Sequence, residues 1–178
     1  MRIISGKYGG RILKPPGKFR ARPTTDLAKE GLFNILQNYF DFNALKVLDL
    51  FAGTGGIGLE FISRGAVHCD LVEKNHHHFS FIKKVIGELH ITNAMVFKTD
   101  AFKFIPRIKD PYNIIFADPP YDMENLESLP VTILSGQFLA PGGWFILEHS
   151  GNYNFTNTPG CFQIRKYGSV NFSFFQNS

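Results

Sequence analysis

The stretch Asp49-Leu-Phe-Ala-Gly53-Thr-Gly55-Gly-Ile-Gly58 constrains the fold more than any other part of the chain. It is a G-x-G-x-x-G pattern that follows the apolar run Val47 to Ala52 and precedes the apolar-periodic segment Ile57 to Ser63. An apolar run of that length reads as a buried strand and the segment after it as a helix. Glycines at the join let the backbone turn tightly and approach a ligand closely. An acid, Glu73, stands 20 residues after Gly53 at the end of the next predicted strand, Leu71-Val72. A carboxylate at that place can accept both hydroxyls of a ribose. Strand, glycine loop, helix and acid together predict a site for a nucleoside-containing cofactor.

The rest of the chain extends this unit. Helical spacing marks 24–39, with Thr24, Thr25 or Asp26 as N-cap, then 79–89, a short helix at 101–105, and 129–138, which Pro141-Gly142-Gly143 should close. Strands are predicted at 95–97, 113–117 and 144–147, and the tail reads as two more, 162–165 and 170–175, joined at Gly168-Ser169. Strands alternating with helices imply an α/β fold, a doubly wound and mainly parallel sheet, with the tail hairpin adding an antiparallel strand at the edge. The 178 residues suit one such domain, and the Phe-rich tail reads as core. Ahead of it, residues 2–4 and 11–13 flank Gly6, Gly9 and Gly10 as a small β-hairpin, and Pro15-Pro16-Gly17 opens a loop to Pro23. The expected division is a basic hairpin and loop over 1–23 and the α/β domain over 24–178.

Charge is distributed unevenly. The first 30 residues hold eight Lys or Arg against Asp26 and Glu30, and the remainder is slightly acidic, for a net +4. Such asymmetry points to a polyanion, nucleic acid first, or to a solvated basic terminus. Lys7, Arg11, Arg20 and Arg22 are the candidate phosphate contacts. Arg22, before Pro23 and a helix start, could instead brace its loop or reach the target nucleotide. The opening residues lack the apolar stretch of a signal peptide and no run approaches a membrane span, so a cytoplasmic protein is expected. Cys69 and Cys161 are too few for a disulfide framework. Three successive histidines, His76 to His78, point in different directions on a helix and cannot chelate one ion, so no metal is expected.

Two further carboxylates bear on the ligand. Asp49 lies inside an apolar run, where it needs a partner: a backbone group of the glycine loop, or a cationic group of the ligand. Nicotinamide and flavin cofactors offer no cation there, whereas S-adenosylmethionine carries an ammonium. Asp100 could contact the adenine or cap the short helix that follows it. Asp118-Pro119-Pro120-Tyr121 ends the fourth strand, on the side where doubly wound sheets bind ligands. Its prolines stiffen the turn. Asp118 and the Pro119 carbonyl can accept the hydrogens of an exocyclic amine, and the Tyr121 ring can stack on a base.

These motifs in this order resemble the Rossmann-like, S-adenosylmethionine-dependent methyltransferases of exocyclic amines. Arg2-Ile-Ile-Ser-Gly6, Gly10-Arg11, Arg22-Pro-Thr-Thr-Asp26 and Lys29-Glu-Gly-Leu-Phe-Asn34 narrow the resemblance to the RsmD family. It implies a seven-stranded methyltransferase sheet and methylation of N2 of guanine 966 in 16S ribosomal RNA, within an assembled small subunit, by a monomeric enzyme. It implies a cofactor set of Asp49, Phe51, Ala52, Gly53, Gly55, Gly58, Glu73, Lys74, Asp100 and Ala101. The catalytic set is Asp118, Pro119, Pro120 and Tyr121, and the RNA set is Lys7, Arg11, Arg20, Arg22 and Thr24. Gly31 departs from the family's usual Ala, and 152–159 carries no motif. The competing readings are a DNA adenine-N6 methyltransferase, whose usual target-recognition domain finds little room here, and a non-catalytic RNA-binding module on the same scaffold, against which the intact motifs argue.

Overall fold

The structure, a computed structural model, describes residues 1–15, 25–120, 123–124 and 126–177. Its framework is one seven-stranded sheet in the order β3-β2-β1-β4-β5-β7-β6. The strands are β1 (Lys46–Asp49), β2 (His68–Val72), β3 (Ala94–Phe97), β4 (Tyr112–Ala117), β5 (Leu139–His149), β6 (Cys161–Tyr167) and β7 (Val170–Gln176). Neighbours from β3 through β5 pair in parallel. β7 runs antiparallel between β5 and β6, so the tail hairpin closes that side. The order reverses direction at β1, and ligands of such sheets bind at the carboxyl ends beside that switch.

Helices cover both faces. α1 (Asp26–Leu36), α2 (Gly56–Ser63) and α3 (His76–Glu88) pack on one, with Leu32, Phe33, Phe61 and Ile82 buried against Val47, Leu71 and Phe172. α4 (Ala101–Phe104), the 3₁₀ turn Ile105–Arg107 and α5 (Ser128–Ser135) cover the other, over Leu48, Ile115, Phe145 and Phe175. The tail phenylalanines 172, 174 and 175 are fully buried, as expected of core. Thr25 caps α1, its Oγ1 accepting from the Ala28 amide at 3.2 Å. Among the described residues no helix is long and apolar enough to cross a membrane.

Several local expectations change: α1 ends at Leu36 rather than 39, leaving Tyr39 exposed, and α3 starts at His76 rather than 79. The helix predicted to run to residue 138 ends at Ser135, and Pro141-Gly142-Gly143 lies inside β5 rather than before it. The β4–β5 register shifts there, from Tyr112 opposite Leu139 to Ile114 opposite Trp144. Gly143 is required at this irregularity, because a Cβ would sit about 3 Å from the carbonyl oxygens of Ala140, Asn113 and Tyr112.

The N-terminal hairpin, one antiparallel bridge between Arg2 and Ile12, is locked onto α2. The carboxylate of Glu60, wholly buried, accepts from the Ile4 amide at 2.7 Å and the Ser5 amide at 3.0 Å. It also pairs with Arg64 Nε at 2.8 Å and Lys29 Nζ at 3.5 Å. Lys29 Nζ donates onward to the Arg2 carbonyl. One carboxylate thus joins the hairpin, α1 and α2. Lys29, counted in the basic surplus, is consumed inside the protein, and its burial lowers its pKa despite Glu60.

Candidate active site

Four carboxylates stand at or just past the carboxyl ends of neighbouring strands: Asp49 on β1, Glu73 after β2, Asp118 after β4 and Glu148 near the end of β5. Two of them occupy the glycine loop's amides. The Gly58 amide donates to Asp49 Oδ2 at 3.0 Å and the Gly53 amide to Glu73 Oε2 at 2.7 Å. The Gly55 amide donates to the Ala52 carbonyl at 2.6 Å. A dinucleotide's pyrophosphate would need such amides for itself. Here protein carboxylates hold two of them, which disfavours a phosphate at Gly53 and Gly58. Gly55, at φ +80°, takes a backbone conformation that favours glycine. Gly58 is required by contact: a Cβ would lie 2.6 Å from Leu71 Cδ2, so only glycine lets α2 pack this closely on β2.

Both readings of Asp49 find support in its two oxygens. Oδ2 has its backbone partner, and Oδ1, equally buried, has none among the described residues. Burial raises the Asp49 carboxyl to about 7, against the opposing pull of the Gly58 and Phe51 amides. Its side chain borders a cavity of about 300 Å³ together with Phe51, Ala52, Gly53, Thr54 and Asp118, and with Met1, Arg2, Thr25, Asp26 and Lys29 of the hairpin and α1. An unpartnered carboxylate oxygen in such a wall fits an ammonium group. The ammonium of S-adenosylmethionine meets that requirement.

Glu73, Lys74 and Asp100 form the neighbouring rim rather than the cavity wall. Glu73 Oε1 accepts from the Asn75 amide at 2.6 Å, so each of its oxygens holds one backbone amide, and His78 Nδ1 stands 3.7 Å from Oε2. Lys74 Nζ reaches Asp100 Oδ2 at 3.1 Å. Asp100 caps α4 through the Phe102 amide at 3.0 Å, as the helix-cap alternative required. Partial burial pushes its pKa up, but Lys74 and the Phe102 amide outweigh that and hold it low. Ala101 faces the second core.

Asp118 and Pro119 follow β4 directly, Pro119 buried and Pro120 exposed. Desolvation, then the Glu148 and Asp49 carboxylates, raise the Asp118 carboxyl well above the usual range. Glu148, 2% exposed, escaped sequence reasoning. The signal for it was present: an acid ending the apolar run Trp144 to Leu147, the same pattern that marks Asp49, Glu73 and Asp118. Such acidity, dry and crowded, favours a cationic ligand. Lys7 and Arg11 are exposed on the hairpin. Tyr121, Arg20, Arg22 and Thr24 lie outside the described residues. His76, His77 and His78 open α3, where the Asn75 side chain accepts from the His77 and His78 amides.

The strand order, the loop whose amides are held by carboxylates and the unpartnered Asp49 oxygen define a Rossmann-like, S-adenosylmethionine-dependent methyltransferase. The family model described as Conserved hypothetical protein 95 matches residues 1–176. Ribosomal RNA small subunit methyltransferase D of Escherichia coli (strain K12) is 36% identical over 148 residues, 83% of this chain and 71% of that one. A solved hypothetical protein of Thermus thermophilus superposes with a TM-score of 0.87 at 28% identity, covering 99% of each chain. The T. thermophilus 16S rRNA N2 G1207 methyltransferase RsmC, in complex with AdoMet and guanosine, shares the fold at a TM-score of 0.69 and 21% identity, over 90% of this chain and 45% of that one. The chain belongs to the RsmD family.

Proposed function

We propose that this protein methylates the exocyclic N2 amine of a guanine in 16S ribosomal RNA, the guanine 966 type of site, acting as a cytoplasmic monomer on the assembled small subunit. The observation that carries the reading is that Asp118, at the head of Asp-Pro-Pro, borders the same cavity as the unpartnered Asp49 oxygen. One end of that cavity suits a cofactor's ammonium and the other a flat amine. The names of the curated relatives, ribosomal RNA small subunit methyltransferases, support the RNA class.

Bound S-adenosylmethionine supplies an electrophilic methyl group on a sulfonium sulfur, so the protein's work is mainly alignment. Asp49 would hold the amino acid end through Oδ1, and the Glu73 carboxylate the ribose hydroxyls. Lys74 and Asp100 flank the adenine side. Asp118 and the Pro119 carbonyl take the two amine hydrogens, which aims the nitrogen lone pair away from the base plane. As the new N–C bond formed, the methyl–sulfur bond would break and S-adenosylhomocysteine would leave, and the amine would shed one proton to the Asp118 carboxylate beside it. Tyr121 offers its ring to the guanine. Residues 1–23 form the RNA-contacting unit, with Lys7, Arg11, Arg20 and Arg22 on phosphates and Thr24 at its border with the helix.

The test supplies labelled cofactor to the enzyme with unmethylated small subunits, naked 16S rRNA and duplex DNA in parallel. Transfer to small subunits above both others is expected. Preferential transfer to duplex DNA would replace this reading with a DNA methyltransferase, and no transfer to any of the three would replace it with a binding module.

A further inference from the structure

A second hollow, of about 450 Å³, lies on the α4 face of the sheet, away from the active-site cavity. It exists because α4 spans only four residues and the 3₁₀ turn after it three, too short to roof β2 and β3. Its apolar floor is Phe97 and Phe104, with ring centroids 4.9 Å apart.

The charges around the hollow fall into two groups. One is internally satisfied. Asp70 accepts from Tyr112 Oη at 2.6 Å and faces His68 Nε2 at 2.8 Å. Lys46 pairs with Asp110 at 3.8 Å and lies over the Tyr112 ring at 4.7 Å. The other group is Lys98, Arg107 and Lys109, all exposed, none with a carboxylate at ion-pair distance among the described residues. Three cations around one concave wall repel one another until an anion arrives. Arg107 brings a planar fork that matches a phosphate. Lys98 and Thr99 immediately precede Asp100 in the chain.

We propose that this hollow is a second RNA-binding surface, taking backbone phosphates of a substrate segment remote from the target guanine. The inference rests on the RNA methyltransferase reading above. A polyanion fits better than a single small anion, because the cations come from two chain segments, Lys98 after β3 and Arg107 and Lys109 before β4, around an open wall.

The test neutralises Lys98, Arg107 and Lys109 together (Lys98→Ala, Arg107→Ala, Lys109→Ala) and compares binding of unmodified 16S rRNA across a salt series with wild type. A control variant neutralises Lys83, Lys84 and Lys166, also exposed. The hollow variant should bind RNA about tenfold or more weakly at low salt, and its log–log salt slope should flatten by about two to three. Its cofactor affinity and melting temperature should match wild type, since all three side chains are exposed. The inference is overturned if the hollow variant binds like wild type or if the control loses as much. It is likewise overturned if RNA binding is normal while binding of polyglutamate is lost, which would make this an acidic-protein site. In each of these cases wild-type methylation of rRNA leaves the enzymatic reading standing. Wild type that neither binds nor methylates rRNA removes both.

Discussion

The Gly58 amide donates to Oδ2 of Asp49 at 3.0 Å and leaves Oδ1 of the same carboxylate buried and unpartnered. The helix N-terminus that carries Gly58 stabilises the charge, burial opposes it, and the carboxyl is left near 7. A cationic ligand on Oδ1 favours the ionised form. Cofactor binding should therefore release a proton below pH 7, and affinity should rise by up to about tenfold per pH unit toward neutrality, then level off. The stability of the free protein should move the other way. A carboxyl raised in the folded state contributes most below its unfolded value near 3.8 and loses that contribution as pH climbs to about 7. Calorimetry in buffers of different ionisation enthalpy measures the proton release. Asp49→Asn should abolish the pH dependence and cost about 2–5 kcal/mol of binding. A flat profile in wild type would remove the ammonium from Oδ1.

Glu73 bridges the Gly53 and Asn75 amides, and the proposed function gives it the ribose as well. Glu73→Ala should weaken cofactor binding by about 1.5–3 kcal/mol. Glu73→Gln, which keeps an acceptor, should lose less. Unchanged affinity in Glu73→Ala alongside a lowered melting temperature would confine Glu73 to bracing the loop.

Glu60 makes a prediction about stability rather than chemistry. Glu60→Ala strands the buried Lys29 ammonium and two backbone amides, and should cost about 3–5 kcal/mol in urea unfolding. Replacing Lys29 by Met in the same chain should recover part of that loss, because the uncompensated charge is then gone. A Glu60→Ala loss below about 1 kcal/mol would mean that the hairpin is held without its buried anchor.

How much of this was legible in the chain depends on sequence distance. The β1–loop–α2 unit could be read because glycines, apolar run and helix lie within about a dozen residues, and Glu73 followed from the strand-end rule. Glu60 could not, since its partners Ile4 and Ser5 sit 56 and 55 residues away and nothing local marks a helical glutamate as buried. Pro141-Gly142-Gly143 misled for a related reason: turn residues punctuate helices and strand irregularities alike, and the pairing with Tyr112 and Asn113 decides between them. Gly31 departs from helix preference because Tyr167, across the sheet's far edge, packs where a Cβ would be, 2.2 Å from its ring.

Asp118 should separate turnover from binding. Asp118→Ala removes the proposed acceptor of the amine while leaving Asp49 in place, so kcat should fall far more than cofactor affinity changes. Near-wild-type turnover would assign amine positioning elsewhere.

The central claim is that the carboxylate-lined cavity transfers a methyl group to N2 of guanine in small-subunit rRNA. Mass spectrometry of nucleosides from unmethylated small subunits, before and after incubation with enzyme and S-adenosylmethionine, tests it most directly. The account predicts one new N2-methylguanosine per subunit, absent with Asp118→Ala; methyl groups appearing on adenine or cytosine instead, or no new modified nucleoside at all, would contradict it.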